Sequence, residues 1–309
     1  MAGRLVVLDS VLADVTLLVD AVPETGSDTR ARSSLIAAGG GFNVAAAAVR
    51  QGMDALYGGR LGTGPFSTMA RSALRHEGVG VALRPDQAGD IGVCLVLVDS
   101  ESQRTFITAP GCELRLSGAD LASLGVRKGD VLYLSGYNFV YPEVGPTVGA
   151  WLARLERGVV VAFDPGARVS DIPDGLLTSV LSRTDWVLAS TEEARALTGA
   201  GSAAAAAGAL ARRSGRGAVV HDGERGCVVA VGEAVTSVPG YHVTAVDSNG
   251  AGDAHNGVFL AGLASGLDPV AAADRANGAA ALAVTRLGPA TSPSADELAQ
   301  WFTQFAGTE

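Results

Sequence analysis

The sequence predicts an α/β fold with an added β-rich unit, on two observations. From about residue 130 onward, short apolar runs rich in β-branched residues recur with helical segments between them, and several of these runs do not alternate with polar residues. This pattern indicates βαβ units and a parallel sheet buried on both faces. In the first third, segments 14–22, 29–38 and 91–109 are predicted strands with few helices among them, the last resembling a hairpin. We therefore expect a small β-rich flap on a large α/β body.

Composition limits the class of partner. The chain has 309 residues, 48% hydrophobic and 18% charged, which allows a sizeable core. Its formal net charge of −9 argues against a nucleic-acid backbone or an anionic membrane surface as a partner. No uniform apolar run reaches membrane-spanning length. The three cysteines have no paired spacing, so we expect neither a disulfide framework nor a zinc site, and a cytoplasmic location.

The lysine content excludes one common phosphate-binding loop. Lys128, in the predicted turn "GVRKGD", is the single lysine of the chain. A Walker A loop, G-x-x-x-x-G-K-[ST], is therefore absent, and a lysine Schiff base is poorly supported. Any phosphate chemistry must depend on backbone amides, arginine or a metal ion.

A glycine cluster, "AAGGGFNVAAAAVRQG" at 37–52, precedes a predicted helix that ends at Gly52. Small residues there allow either close packing of the helix on a sheet or close approach of a ligand to the backbone. Asn43 offers both a donor and an acceptor to hydroxyl groups. The residues alone leave both interpretations open, although the glycine spacing does not match the dinucleotide-binding G-x-G-x-x-G motif.

A second motif, "DSNGAGDAHNG" at 247–257, combines small residues with a predicted helix start. The amides of Gly250, Ala251 and Gly252 are predicted to form an anion hole, because the helix N-terminus favours negative charge. Asp253 then lies in the first turn, where it either caps the helix or acts as a base. A carboxylate beside a bound anion weakens binding through repulsion. The position therefore favours a base that takes a proton from an attacking hydroxyl.

Together these motifs resemble the ribokinase-like (PfkB) carbohydrate kinase family. The early family signature, [AG]-G-x-G-x-N-x-[small] with two later glycines, is matched at Ala38, Gly39, Gly41, Asn43, Ala45, Gly52 and Gly62. The late signature, D-T-x-G-A-G-D, is matched at Asp247, Gly250, Ala251, Gly252 and Asp253, with Ser248 in the Thr position. The chain looks closest to the subset that carries N-G-A-G-D-x-H. The resemblance implies one kinase domain over 1–309, a three-layer α/β/α sandwich with a β-sheet lid from about 12–38 and 90–110.

The resemblance also implies roles for individual residues. Asp253 is then the catalytic base and the 250–252 amides stabilise the transferred phosphoryl group. The substrate contacts are Asp14, Gly39, Gly40, Asn43 and His255, the last standing where most relatives have Phe. The ATP contacts are Ser190, Gly223, Gly226 and Asn277. Glu193 acts on Mg²⁺ through water, although "TEEAR" is also typical of an ordinary helix start. A monovalent-cation site, for K⁺, is implied at Asp247, Asn249, Gly288 and Ser292.

The expected activity is ATP-dependent, Mg²⁺-requiring phosphorylation of a hydroxyl group on a sugar or sugar-like molecule. One alternative is a nucleoside kinase, with Tyr137, Phe139 or Tyr141 stacking on the base. Another is a sensor of sugars or nucleotides without catalysis, because Ser190 and Leu12 replace family asparagines. A homodimer through the lid is an arrangement found in some relatives.

Overall fold

The computed structural model describes residues 3–101 and 103–305. The ends of the predicted kinase domain, at 1–2 and 306–309, and Ser102 of its second lid segment lie outside the described residues. Within the described ranges, no helix combines the length and apolar character needed to cross a membrane.

The described strands and helices alternate through most of the chain. The strands are β1 (Leu5–Leu8), β2 (Val11–Leu18), β3 (Ser33–Gly40), β4 (Ala55–Tyr57), β5 (Gly80–Val81), β6 (Val93–Val98), β7 (Arg104–Ala109), β8 (Val131–Ser135), β9 (Val160–Asp164), β10 (Trp186–Ser190), β11 (Gly217–His221), β12 (Gly226–Val231) and β13 (Ala234–Pro239). The helices are α1 (Gly41–Arg50), α2 (Pro65–His76), α3 (Gly118–Ser123), α4 (Tyr137–Val140), α5 (Gly145–Leu152), α6 (Asp174–Arg183), α7 (Thr191–Thr198), α8 (Ala203–Ala211), α9 (Ala251–Ala264), α10 (Pro269–Val284) and α11 (Ala295–Phe305).

Helices cover both faces of the large sheet, whose strand order is β13-β12-β11-β10-β9-β8-β1-β4-β5. The strands from β11 to β5 pair in parallel, and β12 and β13 add an antiparallel edge. In β1, Leu5 and Val7 face the core under α1, α2, α9, α10 and α11, whereas Val6 and Leu8 face the core under α3, α5 and α6. A third apolar cluster joins α7 and α8 to β10, β11 and β12. The predicted three-layer α/β/α sandwich is confirmed.

A second sheet has the order β3-β2-β6-β7. Strands β6 and β7 pair as the predicted hairpin, and β2 joins β6 in parallel. The predicted strand 14–22 extends beyond the end of β2 at Leu18. The predicted strand 29–38 begins before the start of β3 at Ser33. The chain between them is irregular, since Pro23 and Gly26, with φ of 81°, interrupt strand pairing.

Helices α1 and α9 pack together at unusually short range. A Cβ atom added to Gly257 of α9 would lie 2.6 Å from both the Cβ of Ala47 and the carbonyl oxygen of Val44 in α1. Glycine at this position is therefore needed for the helix contact. The small residues on this face of α1 therefore allow close packing on a helix, whereas the sequence predicted close packing on a sheet.

Replacing Gly257 with Ala should destabilise the fold by about 1–3 kcal/mol, since the added methyl group forces α1 and α9 apart. Urea unfolding followed by circular dichroism measures the change. Gly175→Ala is the matched control, because nothing lies within 4 Å of its added Cβ in α6, and alanine's helix propensity should there stabilise slightly. Equal stability of the two variants would contradict the close helix contact.

Candidate active site

Polar residues follow several neighbouring parallel strands at one edge of the large sheet. Asp9 follows β1, while Ser135, Asp164, Ser190 and His221 are the last residues of β8, β9, β10 and β11. The chain runs from β1 toward β4 on one side and returns to β8 on the other, so the strand order reverses beside β1. In open α/β sheets, ligands bind beyond the carboxyl ends of strands at such a point.

Two helix N-termini meet at this edge. Asn43 is the third residue of α1 and Asp253 the third of α9, and the Nδ2 of Asn43 donates a hydrogen bond of 2.9 Å to the Oδ2 of Asp253. The two motifs of the sequence, 210 residues apart, are thus joined by one hydrogen bond. The space between these two N-termini and the strand ends is the cleft. Both helix dipoles direct their positive ends toward it, which favours anions there.

Asp253 does not cap its helix. Gly250 is the N-cap residue of α9, with φ of 74°, and α9 has no side-chain cap hydrogen bond. The amide of Ala251 makes a long hydrogen bond of 3.3 Å to the carbonyl of Ser248, whereas Gly252 and Asp253 follow in the first turn, where helical amides lack intrahelical partners. Donors for an anion are therefore present beside a carboxylate that points to Asn43.

Glu193 shows the contrasting arrangement at the same helical position. Its Oε2 accepts a hydrogen bond of 2.8 Å from the amide of Ser190, and the Ser190 hydroxyl accepts one from the Glu193 amide, which completes a capping box on α7. The helix-start interpretation of "TEEAR" is correct. Its charge also contributes to raising the pKa values of Asp253 and Asp164, so Glu193 belongs to the same electrostatic cluster.

The small sheet contributes Asp14 from β2, which is buried. Asp14 pairs in register with Ala37, and its carboxylate lies directly against Gly39, where an added Cβ would overlap it. Gly40, with φ of 63°, is the N-cap residue of α1. The four predicted sugar contacts Asp14, Gly39, Gly40 and Asn43 therefore lie together where β3 continues into α1.

A cavity of about 320 Å³ opens on the other side of the 250–252 turn. Its walls include Gly223, Gly226 and Asn277, three of the predicted ATP contacts, together with Ala251 and Gly252. Asn277 is fixed by hydrogen bonds from its Nδ2 to the carbonyls of Val238 and Pro239, both 3.0 Å. Ser190 is outside the described lining of this cavity.

His255 lies in the wall of this cavity rather than with the other predicted sugar contacts. Its buried ring packs on the ring of His221, with centroids 4.5 Å apart, and on Phe259, at 6.4 Å. Within the described ranges, its ring nitrogens make no hydrogen bond of good geometry, although Asn277 lies close enough to raise its pKa slightly. Burial, then the neighbouring His221, lower the pKa of His255, and burial lowers that of His221 to about 4. Both rings are neutral at neutral pH.

The four residues of the predicted cation site take part in several hydrogen bonds, but the buried Oγ of Ser292 has no partner among the described residues. The carboxylate of Asp247 accepts hydrogen bonds from the amides of Asn249, 2.9 Å, and Gly288, 3.0 Å, and from the guanidinium of Arg104. The carbonyl of Ser292 accepts a hydrogen bond of 2.6 Å from Arg50. An arginine therefore stands at the carboxylate where the resemblance implies an alkali cation.

The carboxylates of the cleft raise one another's pKa values. Burial, and then the charge of Asp253, raise the pKa of Asp9 to about 7 and that of Asp14 to about 6. Asp253 is partly accessible, yet desolvation is the main cause that raises its pKa to about 6, opposed by the Asn43 hydrogen bond. Desolvation, Glu193 and Asp253 raise the pKa of Asp164. Such values place proton exchange near neutral pH, as a general base requires.

Comparison with known proteins gives the family. The model of the pfkB family carbohydrate kinases matches residues 2–296. The chain belongs to this family. The chain is 31% identical over 297 residues to the uncharacterized sugar kinase YegV of Escherichia coli (strain K12), covering 94% of this chain and 92% of the relative. It is 30% identical over 295 residues to an ATP-dependent ribose-1-phosphate kinase of Halopiger xanaduensis (strain DSM 18323 / JCM 14033 / SH-6), covering 94% and 95%.

A solved structure adds the fold. The crystal structure of fructokinase from Vibrio cholerae O395, with fructose, ADP and calcium bound, superimposes with a TM-score of 0.81 at 26% identity, covering 96% of this chain and 98% of the other. The family predicted from two motifs is confirmed, as is the carbohydrate kinase class. Membership of the N-G-A-G-D-x-H subset stays a prediction.

Several residues of this kinase cleft were missed from the sequence. The carboxylate of Asp164 accepts hydrogen bonds from the hydroxyl of Tyr133 (2.9 Å) and from the side-chain amide of Asn256 in α9 (2.8 Å). The carboxylate of Asp9 accepts a hydrogen bond of 2.7 Å from the backbone amide of Ser10. His221 forms part of the cavity wall. Asp9, Asp164 and His221 each stand at the carboxyl end of a buried parallel strand, and this shared position is the signal that identifies them.

The described residues contain no group of three or more His, Cys, Asp or Glu side chains arranged to hold a metal ion. One carboxylate oxygen of Glu193 is engaged by Ser190. The predicted action of Glu193 on a divalent ion through water stays a prediction.

Asp9→Asn should raise the thermal midpoint of unfolding at pH 8 and change it little at pH 4. The ordinary pKa of 3.8 is raised to about 7 in the folded state, so the folded protein binds this proton more tightly. Stability from Asp9 is fully present below about pH 4 and is lost as the pH rises through about 7. Differential scanning fluorimetry from pH 4 to 8 measures the change, with Asp28→Asn on an exposed loop as the control. A shift of equal size at both pH values would contradict the raised pKa.

Proposed function

We propose that the protein transfers the γ-phosphoryl group of ATP to a hydroxyl group of a sugar or sugar-like molecule. The position of Asp253 carries this proposal. Its neighbours Ala251 and Gly252 line the 320 Å³ cavity, while its carboxylate contacts Asn43 on the side of Asp14. We take the cavity as the nucleotide compartment and the region around Asn43 and Asp14 as the substrate compartment. A base that lies between the two suits direct transfer of the phosphoryl group from nucleotide to substrate.

In the proposed reaction, the substrate hydroxyl oxygen attacks the γ-phosphorus of ATP and a new O–P bond forms. The bond from that phosphorus to the β,γ-bridging oxygen breaks, and ADP leaves with its electron pair. The hydroxyl proton passes to the carboxylate of Asp253. The amides at the start of α9 stabilise the negative charge on the transferred group, in the role of an anion hole.

The substrate compartment favours hydroxyl groups. Asp9, Asp14 and Asn43 supply acceptors and one amide donor, and the Oδ1 of Asn43 is buried with no hydrogen-bond partner among the described residues. Gly39 and Gly40 expose backbone beside them. The named activities of the relatives, on ribose-1-phosphate and on fructose, support a sugar as the substrate class.

The nucleotide compartment favours ATP with a divalent ion. The predicted ATP contacts Gly223, Gly226 and Asn277 all line this cavity, which supports their role. The neutral rings of His221 and His255 form an uncharged part of its wall. The fructokinase of similar fold binds ADP with calcium, which supports a divalent partner here. Mg²⁺ is the ion we propose, and when bound it neutralises phosphate charge. We also propose a cytoplasmic location, because Cys94, Cys112 and Cys227 are free thiols.

A nucleoside kinase is the second candidate, favoured by Tyr137. Its side chain is 39% exposed, packs beside Gly166, and has its pKa raised to about 12 by burial and by the charges of Asp9 and Asp164. An accessible ring near these carboxylates offers a stacking surface for a base or a sugar face. Phe139 is buried against Phe163, and Tyr141 lies under the Arg168 guanidinium, so neither supports the stacking role.

The experiment that tests the function is ADP release from ATP and Mg²⁺ across a panel of free sugars, sugar phosphates, sugar acids and nucleosides. Stimulation by a sugar supports the leading proposal, and stimulation by nucleosides alone supports the second. Release at background with every compound supports a sensor without catalysis.

Asp253→Asn should lower turnover by about 10²–10⁴-fold, the usual contribution of a general base, while nucleotide binding is kept. In the parent enzyme, kcat/KM should fall as the pH drops through about 6, because protonated Asp253 accepts no proton. Steady-state kinetics and isothermal titration with ADP measure both effects. Asp296→Asn, a matched change in the first turn of α11, is the control. Near-normal turnover of Asp253→Asn would exclude this base.

We also propose a homodimer through the small sheet. Ile36, Val15, Leu95 and Ile107 form one apolar row across its four strands, on the face opposite Asp14. Ile36 is 54% and Ile107 56% exposed, so a second copy would cover this face.

Ile107→Glu should convert a dimer into a monomer, because a charge in an apolar interface opposes burial. Light scattering after gel filtration measures the mass. The control is Val235→Glu, at another exposed apolar residue on β13. A monomeric parent protein would overturn the dimer.

A further inference from the structure

Arg104 connects the small sheet to the start of the anion-binding turn. It is the first residue of β7, and its guanidinium donates to the carboxylate of Asp247 and, at 3.1 Å through Nη1, to the hydroxyl of Ser248. The side chains of Arg104 and Asp247 are only 21% and 10% exposed. Partial burial of both partners strengthens the attraction relative to an exposed ion pair.

This ion pair does not fit the alkali cation that the family resemblance implies at Asp247. The Oδ1 of Asp247 already serves Arg104 and the Asn249 amide, and its Oδ2 serves the Gly288 amide. A second positive charge at the same carboxylate would be repelled by the guanidinium. The carbonyls of Ala290 and Ser292 likewise accept hydrogen bonds from the guanidinium of Arg50. The case against the ion therefore rests on the Asp247 carboxylate, which Arg104 and two amides already occupy.

Two more contacts join the small sheet to this turn and to the Gly288 loop that binds Asp247. The side chain of Asn249 lies close enough to the carboxylate of Asp14 in β2 to lower its pKa. Leu35 of β3 lies so close to Gly288 that an added Cβ there would be 3.0 Å from the Leu35 Cδ2. Arg104 of the small sheet thus holds Asp247 and Ser248, and Asn249 lies beside Asp14, immediately before Gly250.

We propose that Arg104 is a positioning residue that replaces a bound monovalent cation at Asp247 and couples the small sheet to the 250–252 turn. This rests on the proposed function, because the turn matters only if its amides bind the transferred group. Arg104 holds the turn from the small sheet, so the anion hole takes its final geometry when the small sheet is in place. Turnover should therefore not require K⁺.

The test compares Arg104→Met with Arg30→Met, an exposed arginine in the loop before β3. Methionine keeps much of the side-chain length but removes the charge. Loss of one charge-assisted hydrogen-bonded pair should lower kcat by roughly 10- to 100-fold, with KM for ATP nearly unchanged. Arg104→Lys should recover part of this loss by restoring charge. For the parent enzyme, exchanging Na⁺ for K⁺ at constant ionic strength should leave kcat unchanged.

Hydrogen–deuterium exchange gives a readout that does not depend on catalysis. Exchange at 247–252 should be faster in Arg104→Met than in the parent and in Arg30→Met. Unchanged exchange, or kcat of Arg104→Met equal to that of Arg30→Met, would overturn the positioning role. Specific activation of the parent by K⁺ would overturn the replacement of the cation. If no compound of the substrate panel is phosphorylated, the proposed function fails, whereas the exchange measurement still decides whether Arg104 holds the turn.

Discussion

The close packing of α1 on α9 is the constraint on which the rest of the site depends. Because Gly257 lets the two helices touch, their first turns lie close enough for the side chain of Asn43 to donate a hydrogen bond to Asp253. Each helix begins at a glycine with positive φ, Gly40 or Gly250, which turns the incoming chain sharply into the helix. The cleft lies where these two turns meet the strand ends of the large sheet.

This arrangement concentrates negative charge, and the fold offsets part of it. Asp9, Asp14 and Asp253 have raised pKa values because they are desolvated beside one another. Amides, the Asn43 side chain and two helix N-termini oppose that repulsion. The repulsion that remains destabilises the folded state. Such a cost is typical of active sites, where charged groups are kept desolvated beside one another for function. At Asp164, the hydrogen bonds from Tyr133 and Asn256 likewise offset part of the repulsion between carboxylates.

Much of the fold and half of the site follow from local sequence. Asn43 and Asp253 were predictable, because each lies in a short motif in which small residues and a helix start occur together. Asp9 and Asp164 were missed, since each is a single acid after an apolar strand and gains its meaning only when parallel strands align. The position of His255 in the cavity wall was not predictable, because it depends on packing against His221, the last residue of a distant strand. The Arg104 pair joins residues 143 apart through a long side chain, and no local pattern encodes it.

The position of the polar residues beyond the strand ends has an evolutionary consequence. The strands that stabilise the core end at or just before Asp9, Ser135, Asp164, Ser190 and His221, and segments after such ends carry several of the proposed ligand contacts, such as Gly223 and Gly226 after β11. A substitution in those segments alters a contact without removing a core side chain. A lineage built on this scaffold can therefore exchange one substrate for another by few steps, each of which leaves a folded protein for selection to act on.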